Sequence, residues 1–159
     1  MQSLQKLCSF ATTALLFTAC SVIGAQPAHA EDKPQPYSVE CNIDVLGILG
    51  QVDCQLPIVP AGKRFVIETV SSSLQLGKGI KPVFIDLHTT TGGVTTDNIL
   101  PSTFQGTTVF YPGDYYTVYQ QVRLSEDGGT LAFFNLILSN SSPGATGFFT
   151  AAGYLVDCP

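Results

Sequence analysis

From residue 31 onward the chain alternates between short runs of β-forming residues and clusters of turn-forming residues. The runs are rich in Val, Ile, Thr, Phe and Tyr, and the clusters, such as residues 91–93 and 140–147, are rich in Gly, Pro, Asn and Ser. No run has the period of an amphipathic helix, whereas alternation with a period of two recurs. Short strands at this regular spacing are typical of two packed antiparallel sheets. The sequence therefore predicts an all-β fold, a single antiparallel β-sandwich with jelly-roll-like connections.

Nine runs meet the criteria for strands. Their predicted bounds are Tyr37–Leu46, Leu49–Leu56, Arg64–Leu74, Val83–Thr90, Val94–Ile99, Thr107–Tyr111, Tyr115–Leu124, Thr130–Leu138 and Phe148–Asp157. Without its first 30 residues, the chain of 159 residues retains 129. That length is enough for one hydrophobic core and too short for two domains. We therefore expect one sandwich domain over residues 31–159.

The first 30 residues predict a secretory signal peptide. One positive charge, Lys6, precedes an uncharged apolar stretch, and the segment ends in the small-residue cleavage pattern Ala28-His29-Ala30. This layout is typical of a cleaved leader rather than of a retained membrane helix. We expect residues 1–30 to be removed and the protein to be periplasmic or extracellular. Residues 17–20 also resemble a lipobox, so the alternative is a lipoprotein anchored through Cys20.

The net charge of the chain limits the classes of partner that it can bind. Because Lys6 is the only charged residue among the first 30, the rest keeps all 12 acidic residues and six of the seven basic ones, for a formal net charge of −6. Nucleic-acid binding needs a positive face, and no basic cluster is present, so that class is excluded. The polar surface of Ser, Thr, Asn and Gln instead suits a protein or glycan partner, or a homo-oligomer.

The segment around Cys41 and Cys54 predicts a β-hairpin closed by a disulfide. If Gly47 and Ile48 form a two-residue turn, the register places Cys41 opposite Cys54. The same register collects Cys41, Ile43, Val45 and Val52 on one face and Asn42, Asp44, Gln51 and Asp53 on the other. The cysteines are then close enough for a bridge in an oxidising compartment. We expect a Cys41–Cys54 disulfide, with Cys158 buried, in a competing bridge, or paired with another chain.

The run Tyr115–Leu124 alternates between an apolar face and a polar, aromatic face. Tyr116, Val118, Val122 and Leu124 share the first face, and Tyr115, Tyr119, Gln121 and Arg123 share the second. A stripe of this kind can bind a sugar or a protein, but ordinary cross-strand packing of tyrosines on a half-exposed sheet is the interpretation that the pattern favours. The members of the second face are the first candidate binding residues.

Asp86 and His88 form the second candidate binding pair. His88 is the one histidine after residue 30, and residues two apart on a strand share a face. A carboxylate can orient an imidazole for general-base or metal chemistry. Because no second His or Cys lies at ligand spacing, the pattern favours a plain strand surface over a functional site.

The chain lacks the motifs of well-known catalytic sites. It contains no Gly-x-Ser-x-Gly elbow, no phosphate-binding loop and no His-Glu-x-x-His zinc motif. Asp44 and Asp53 offer oxygen ligands for calcium, but no spaced calcium loop accompanies them. We therefore expect no catalytic residue, no metal site and no cofactor.

The segment Val59–Glu68 resembles one found in uncharacterised exported bacterial proteins thought to be β-sandwiches. In that segment a Pro-Ala-Gly turn, here residues 60–62, leads into a core strand. The resemblance implies a fold and brings no functional residue with it.

These features together favour an exported, non-catalytic binding or assembly protein that acts through an exposed sheet face or its loops. A carbohydrate-binding module that uses the face of Tyr115 and Tyr119 is the first alternative. A small hydrolase or metal enzyme centred on Asp86 and His88 is the second.

Overall fold

The computed structural model of the chain describes residues 33–45, 49–108, 112–142 and 144–158. Within these ranges the chain is all-β, and two antiparallel sheets pack face to face, which confirms the predicted sandwich. The predicted signal peptide, Cys20 and the turn at residues 47–48 lie outside the described residues. No helix in the described part of the chain is long and apolar enough to cross a membrane.

Nine strands form the described part of the sandwich. They are β1 (Gln35–Val45), β2 (Leu49–Gln55), β3 (Lys63–Gly77), β4 (Pro82–Thr91), β5 (Val94–Ile99), β6 (Thr103–Thr108), β7 (Gly113–Asp127), β8 (Phe133–Ser142) and β9 (Ala145–Asp157). The five-stranded sheet has the order β1-β9-β3-β7-β6, and the four-stranded sheet has the order β2-β8-β4-β5.

All nine predicted strands agree with the structure to within four residues at each end. The sixth, predicted at Thr107–Tyr111, overlaps its strand least, because β6 ends at Thr108 and residues 109–111 lie outside the described ranges. The prediction followed the apolar run of residues 109–111. The strand instead begins earlier, where Phe104 packs on Tyr116 with the ring centroids 5.4 Å apart.

The core fills the space between the two sheets. Phe149 of β9 and Phe134 of β8 stack across it with their ring centroids 4.5 Å apart, and neither side chain is exposed. Because successive side chains of a strand point to opposite faces, the positions between the buried ones face outward. Because Phe134 and Phe149 belong to different sheets, their packing joins the two sheets at the centre of the core.

The predicted hairpin of β1 and β2 is wrong, but the predicted disulfide is confirmed. β1 pairs with β9 and β2 pairs with β8, in opposite sheets. Cys41 and Cys54 are nevertheless bonded, with their Cα atoms 5.8 Å apart. Cys41, Ile43 and Val52 are buried, and Asn42, Asp44, Gln51 and Asp53 are exposed, as predicted. Alternation cannot distinguish a hairpin from two facing edge strands, because both arrangements bury the same faces.

A bulge in β3 shifts the alternation of buried and exposed residues along this strand by one position. Ile67 is buried before Glu68, and Val70 is buried after it. Both ladders of β3 shift register between Ile67 and Thr69, as a β-bulge requires. Next to the bulge β9 comes very close, since a Cβ added at Gly153 would lie 1.9 Å from the Val66 carbonyl oxygen.

Two carboxylates tie the β4–β5 turn to the end of β7. Glu126 is fully buried, and its Oε2 accepts a hydrogen bond from the Thr90 N–H at 2.6 Å. Asp127 accepts hydrogen bonds from the Gly92 N–H and from Arg64 Nε, both at 2.6 Å. Burial raises the pKa of Glu126, and the hydrogen bond from Arg64 lowers the pKa of Asp127. These contacts connect the two sheets at one end of the sandwich.

Candidate functional site

The predicted stripe on β7 lies on the outer face of the five-stranded sheet. Tyr119 is 75% exposed, and Gln121 and Arg123 are also exposed. Tyr115 is half-buried, and its hydroxyl donates a hydrogen bond to Gln75 Oε1 at 2.9 Å. The four residues therefore share a face, but the hydroxyl of Tyr115 is already bonded within the sheet.

A shallow groove of about 550 Å³ crosses this outer face at the bulge of β3. Its lining residues come from β3, β7 and β9 and are Val66, Glu68, Thr69, Gln121, Val122, Arg123 and Tyr154. A bulge twists and bends its strand, which explains a depression at this place. The groove brings a carboxylate, a guanidinium, an amide, a hydroxyl and an aromatic ring together, and a concave surface with a few polar groups is typical of ligand sites.

The long side of the sandwich formed by β7 and β5 is open. β6 pairs with β7 from Gly113 to Thr117, and within the described ranges no strand pairs with this edge of β7 beyond Thr117. β5 is the last strand of the other sheet. A cavity of about 430 Å³ lies between them, lined by Asp97–Leu100 and Gln120–Leu124. We call this part of the molecule the open side. It consists of the strand β5, residues 118–124 of β7, and the side cavity between them.

One residue of the side cavity has a buried polar atom without a hydrogen-bond partner. Gln120 lines the cavity, and its Oε1 is buried without a hydrogen-bond partner. A buried acceptor without a partner costs free energy of about 1–3 kcal/mol.

Asp86 and His88 share a face of β4, as predicted, and a third charged residue joins them. Asp97 Oδ1, on β5, is 2.6 Å from His88 Nδ1, and Asp86 Oδ2 is 3.3 Å from His88 Nε2. The Phe133 ring of β8 stacks on the imidazole with the centroids 4.2 Å apart. The imidazole therefore lies between two carboxylates and against an aromatic ring.

Asp86 is deeply buried and incompletely hydrogen-bonded. It is 4% exposed, and its Oδ1 has no hydrogen-bond partner. Burial raises the pKa of Asp86, although the nearby imidazole opposes this shift. Asn135 of β8 lies opposite Asp86 in the ladder, and its Oδ1 is likewise buried without a partner.

This cluster is better suited to orienting His88 than to catalysis. Nδ1 contacts the Asp97 carboxylate, and Nε2 is buried without a hydrogen-bond partner although Asp86 Oδ2 is 3.3 Å away. A general base instead needs a nitrogen within reach of the substrate proton. In the part of the chain that the structure describes, no three His, Cys, Asp or Glu side chains are placed to hold a metal ion together.

Asp97, Asn135 and Gln120 are absent from the sequence-predicted site. A local signal exists for Asp97, because a tight turn at residues 92–93 sets the β4–β5 register and pairs His88 with Asp97. The neighbours of Asn135 and Gln120 come from strands that are distant in the sequence, so no local sequence pattern predicts their place in the site.

Neither curated proteins nor solved structures match this chain, and no protein-family model does. Function therefore has to follow from the geometry of the sites.

Proposed function

We propose that the protein is an exported, non-catalytic binding or assembly protein and that its open side is the binding surface. The observation that carries the proposal is the unpaired edge of β7 beyond Thr117, which lies between the groove and the side cavity. Gln121 and Arg123 line both depressions, and Tyr119 is exposed next to them. Aromatic and arginine side chains are the types that interfaces enrich.

The disulfide supports the exported location. Bridges such as Cys41–Cys54 persist in oxidising compartments and are rare in the cytosol. The leader-like residues 1–30 favour the same location, which is the periplasm or the extracellular space, with a lipid anchor at Cys20 as the alternative.

The strand order supports the jelly-roll form of the sandwich. β1 to β4 alternate between the two sheets, and β7 to β9 do so again. Two Greek keys wound together into a double sheet place successive strands in this way.

A photo-reactive amino acid placed at position 121 tests the binding surface. In cells of the exporting host, we expect irradiation to give a defined cross-linked species from this position. Position 42 on β1 is the matched control, because Asn42 is also exposed on an edge strand, and we expect no species from it. Cross-linking from both positions alike, or from neither, would overturn the proposal.

Carbohydrate binding is the second candidate function, and the groove favours it. Tyr154 supplies an aromatic ring, and Glu68, Gln121 and Arg123 supply planar polar groups for sugar hydroxyls. We expect cello- or chito-oligosaccharides to bind in calorimetric titrations and Tyr119→Ala and Gln121→Ala to weaken that binding. An affinity that both substitutions leave unchanged would end this candidate.

A further inference from the structure

We infer that the open side accepts an extended strand of another polypeptide, which adds to the five-stranded sheet alongside β7. This inference rests on the proposed function and names the class of partner. β7 continues to Asp127, whereas β6 pairs with it only as far as Thr117. An added strand would lie in line with β6 and would pair with the backbone of residues 118–124.

The composition of the β7 edge favours strand addition. Unpaired edge strands are commonly protected by charged residues or proline. β1, at the far edge of the same sheet, exposes Pro36, Glu40 and Asp44. Residues 118–124 of β7 contain no proline and one charge, Arg123. The β7 edge therefore lacks the usual protection, and its unpaired N–H and C=O groups fit a second extended backbone.

The surroundings of the edge indicate which side chains the added strand would carry. On the inner side the cavity is lined by the apolar residues Ile99, Leu100, Val122 and Leu124, so aliphatic residues are expected at alternate positions. On the outer side Arg123 is exposed, so an acidic residue is expected beside it.

The same features argue against a second copy of this chain as the occupant. Residues 118–124 contain no acidic residue. Two copies joined through this segment would therefore bring two arginines to the interface without a carboxylate from the paired strands. A foreign strand with an acidic residue fits the edge better.

The probe is an acetylated and amidated peptide, as long as residues 118–124, that alternates valine with threonine and carries a central glutamate. We expect it to bind saturably, with changes in NMR chemical shift confined to residues 118–124 and β5. Two isomers N-methylated on alternate amides are matched controls, since each lacks the donors of one edge.

Strand addition predicts that one N-methylated isomer binds about tenfold or more weakly while the other binds like the parent peptide, because one edge alone donates to β7. An equal loss of affinity in both isomers, or no binding of the parent peptide, would show the inference to be wrong. Self-association of the purified protein through β7, detected by sedimentation, would also overturn it.

Charge reversal at Arg123 provides the second test. We expect Arg123→Glu to abolish binding of the glutamate peptide and to admit the peptide with lysine in its place. Loss of both peptides would contradict the inferred pairing. Cross-linking from position 121 separates the two proposals: if it persists in the host while no peptide binds, the open side remains the binding surface and strand addition is wrong.

Discussion

The two long sides of the sandwich are built in opposite ways. On the closed side, formed by β1 and β2, the Cα atoms of Cys41 and Cys54 are 5.8 Å apart and a disulfide joins the two sheets. On the open side, β5 and β7 leave a cavity of about 430 Å³ between them. Packed sheets ordinarily lie about 10 Å apart, so the two sheets come closer than usual where the disulfide joins them.

This difference separates the stabilising part of the fold from the part available for binding. The net stability of a domain is a small difference between large terms. We therefore expect the covalent bond on the closed side to offset the cost of an unpaired edge on the open side.

Removal of the disulfide tests the closed side. With Cys41 and Cys54 both replaced by alanine, we expect the free energy of unfolding to fall by about 3 kcal/mol. The physical reason is that the bridge closes a short loop, with a sequence separation of 13, in the unfolded chain. Urea denaturation measures the loss, and Cys158→Ser is the control, expected to change stability by less than about 0.5 kcal/mol. A double variant as stable as the natural protein would contradict this role.

Removal of Glu126 tests the end of the sandwich where β4 and β7 meet. Glu126→Ala leaves the Thr90 N–H without its buried acceptor, and we expect a loss of about 1–3 kcal/mol in urea denaturation. Glu68→Ala removes an exposed glutamate and should have almost no effect. Equal losses in the two variants would refute the role of Glu126.

Glu126 also predicts a dependence of stability on pH. Its pKa is raised by burial in the folded state, so the folded protein holds this proton more tightly than the unfolded chain does. The free energy of unfolding should therefore fall as the pH rises from the ordinary carboxyl range through the raised pKa. Asp127 should act in the opposite direction, because its lowered pKa gives stability that is lost as the pH falls. A pH series of urea denaturations should show that Glu126→Gln lacks the first contribution, and an identical profile would contradict it.

His88→Ala and Asp97→Ala test how β5 is held on the open side. Each removes the 2.6 Å contact between the two side chains, and we expect a loss of about 1 kcal/mol. Faster amide exchange should be confined to β5 and its neighbours on β4. Faster exchange across both sheets would show instead that the cluster supports the whole fold.

Tyr119→Ala and Arg123→Ala should have the smallest effect on stability and a large one on binding. Both side chains are exposed, so we expect changes within about 0.5 kcal/mol. Cross-linking from position 121 should nevertheless be lost. Intact cross-linking in both variants would place the partner elsewhere.

Sequence patterns predict the inward and outward positions of each strand better than they predict its neighbours. The alternation around Cys41 and Cys54 identified the right bridge through a wrong hairpin, because burial depends on the face and not on the partner strand. The shared face of Asp86 and His88 follows from spacing alone. Contacts that depend on distant strands, such as the position of Asn135 opposite Asp86, leave no local trace.

The open side itself could not be predicted from the sequence. It exists because β6 ends its pairing at Thr117 while β7 continues, and this depends on how two strands of different length meet. The exposed stripe of Tyr119, Gln121 and Arg123 was predictable, but the edge that gives it a role was not.

Residue-by-residue hydrogen exchange along β7 tests the division between the two sides most directly, because the strand contains its own control. From Gly113 to Thr117 the strand is paired on both edges, and we expect every hydrogen-bonded amide there to exchange slowly. From residue 118 to 124 we expect the amides that point to the open side to exchange fast, since they have no strand partner within the described ranges. The amides of Val118–Gln121 that point to β3, where the ladder is regular, should stay protected. Uniform slow exchange over residues 118–124 would mean that this edge is covered, and it would contradict the claim that the β7 edge is open.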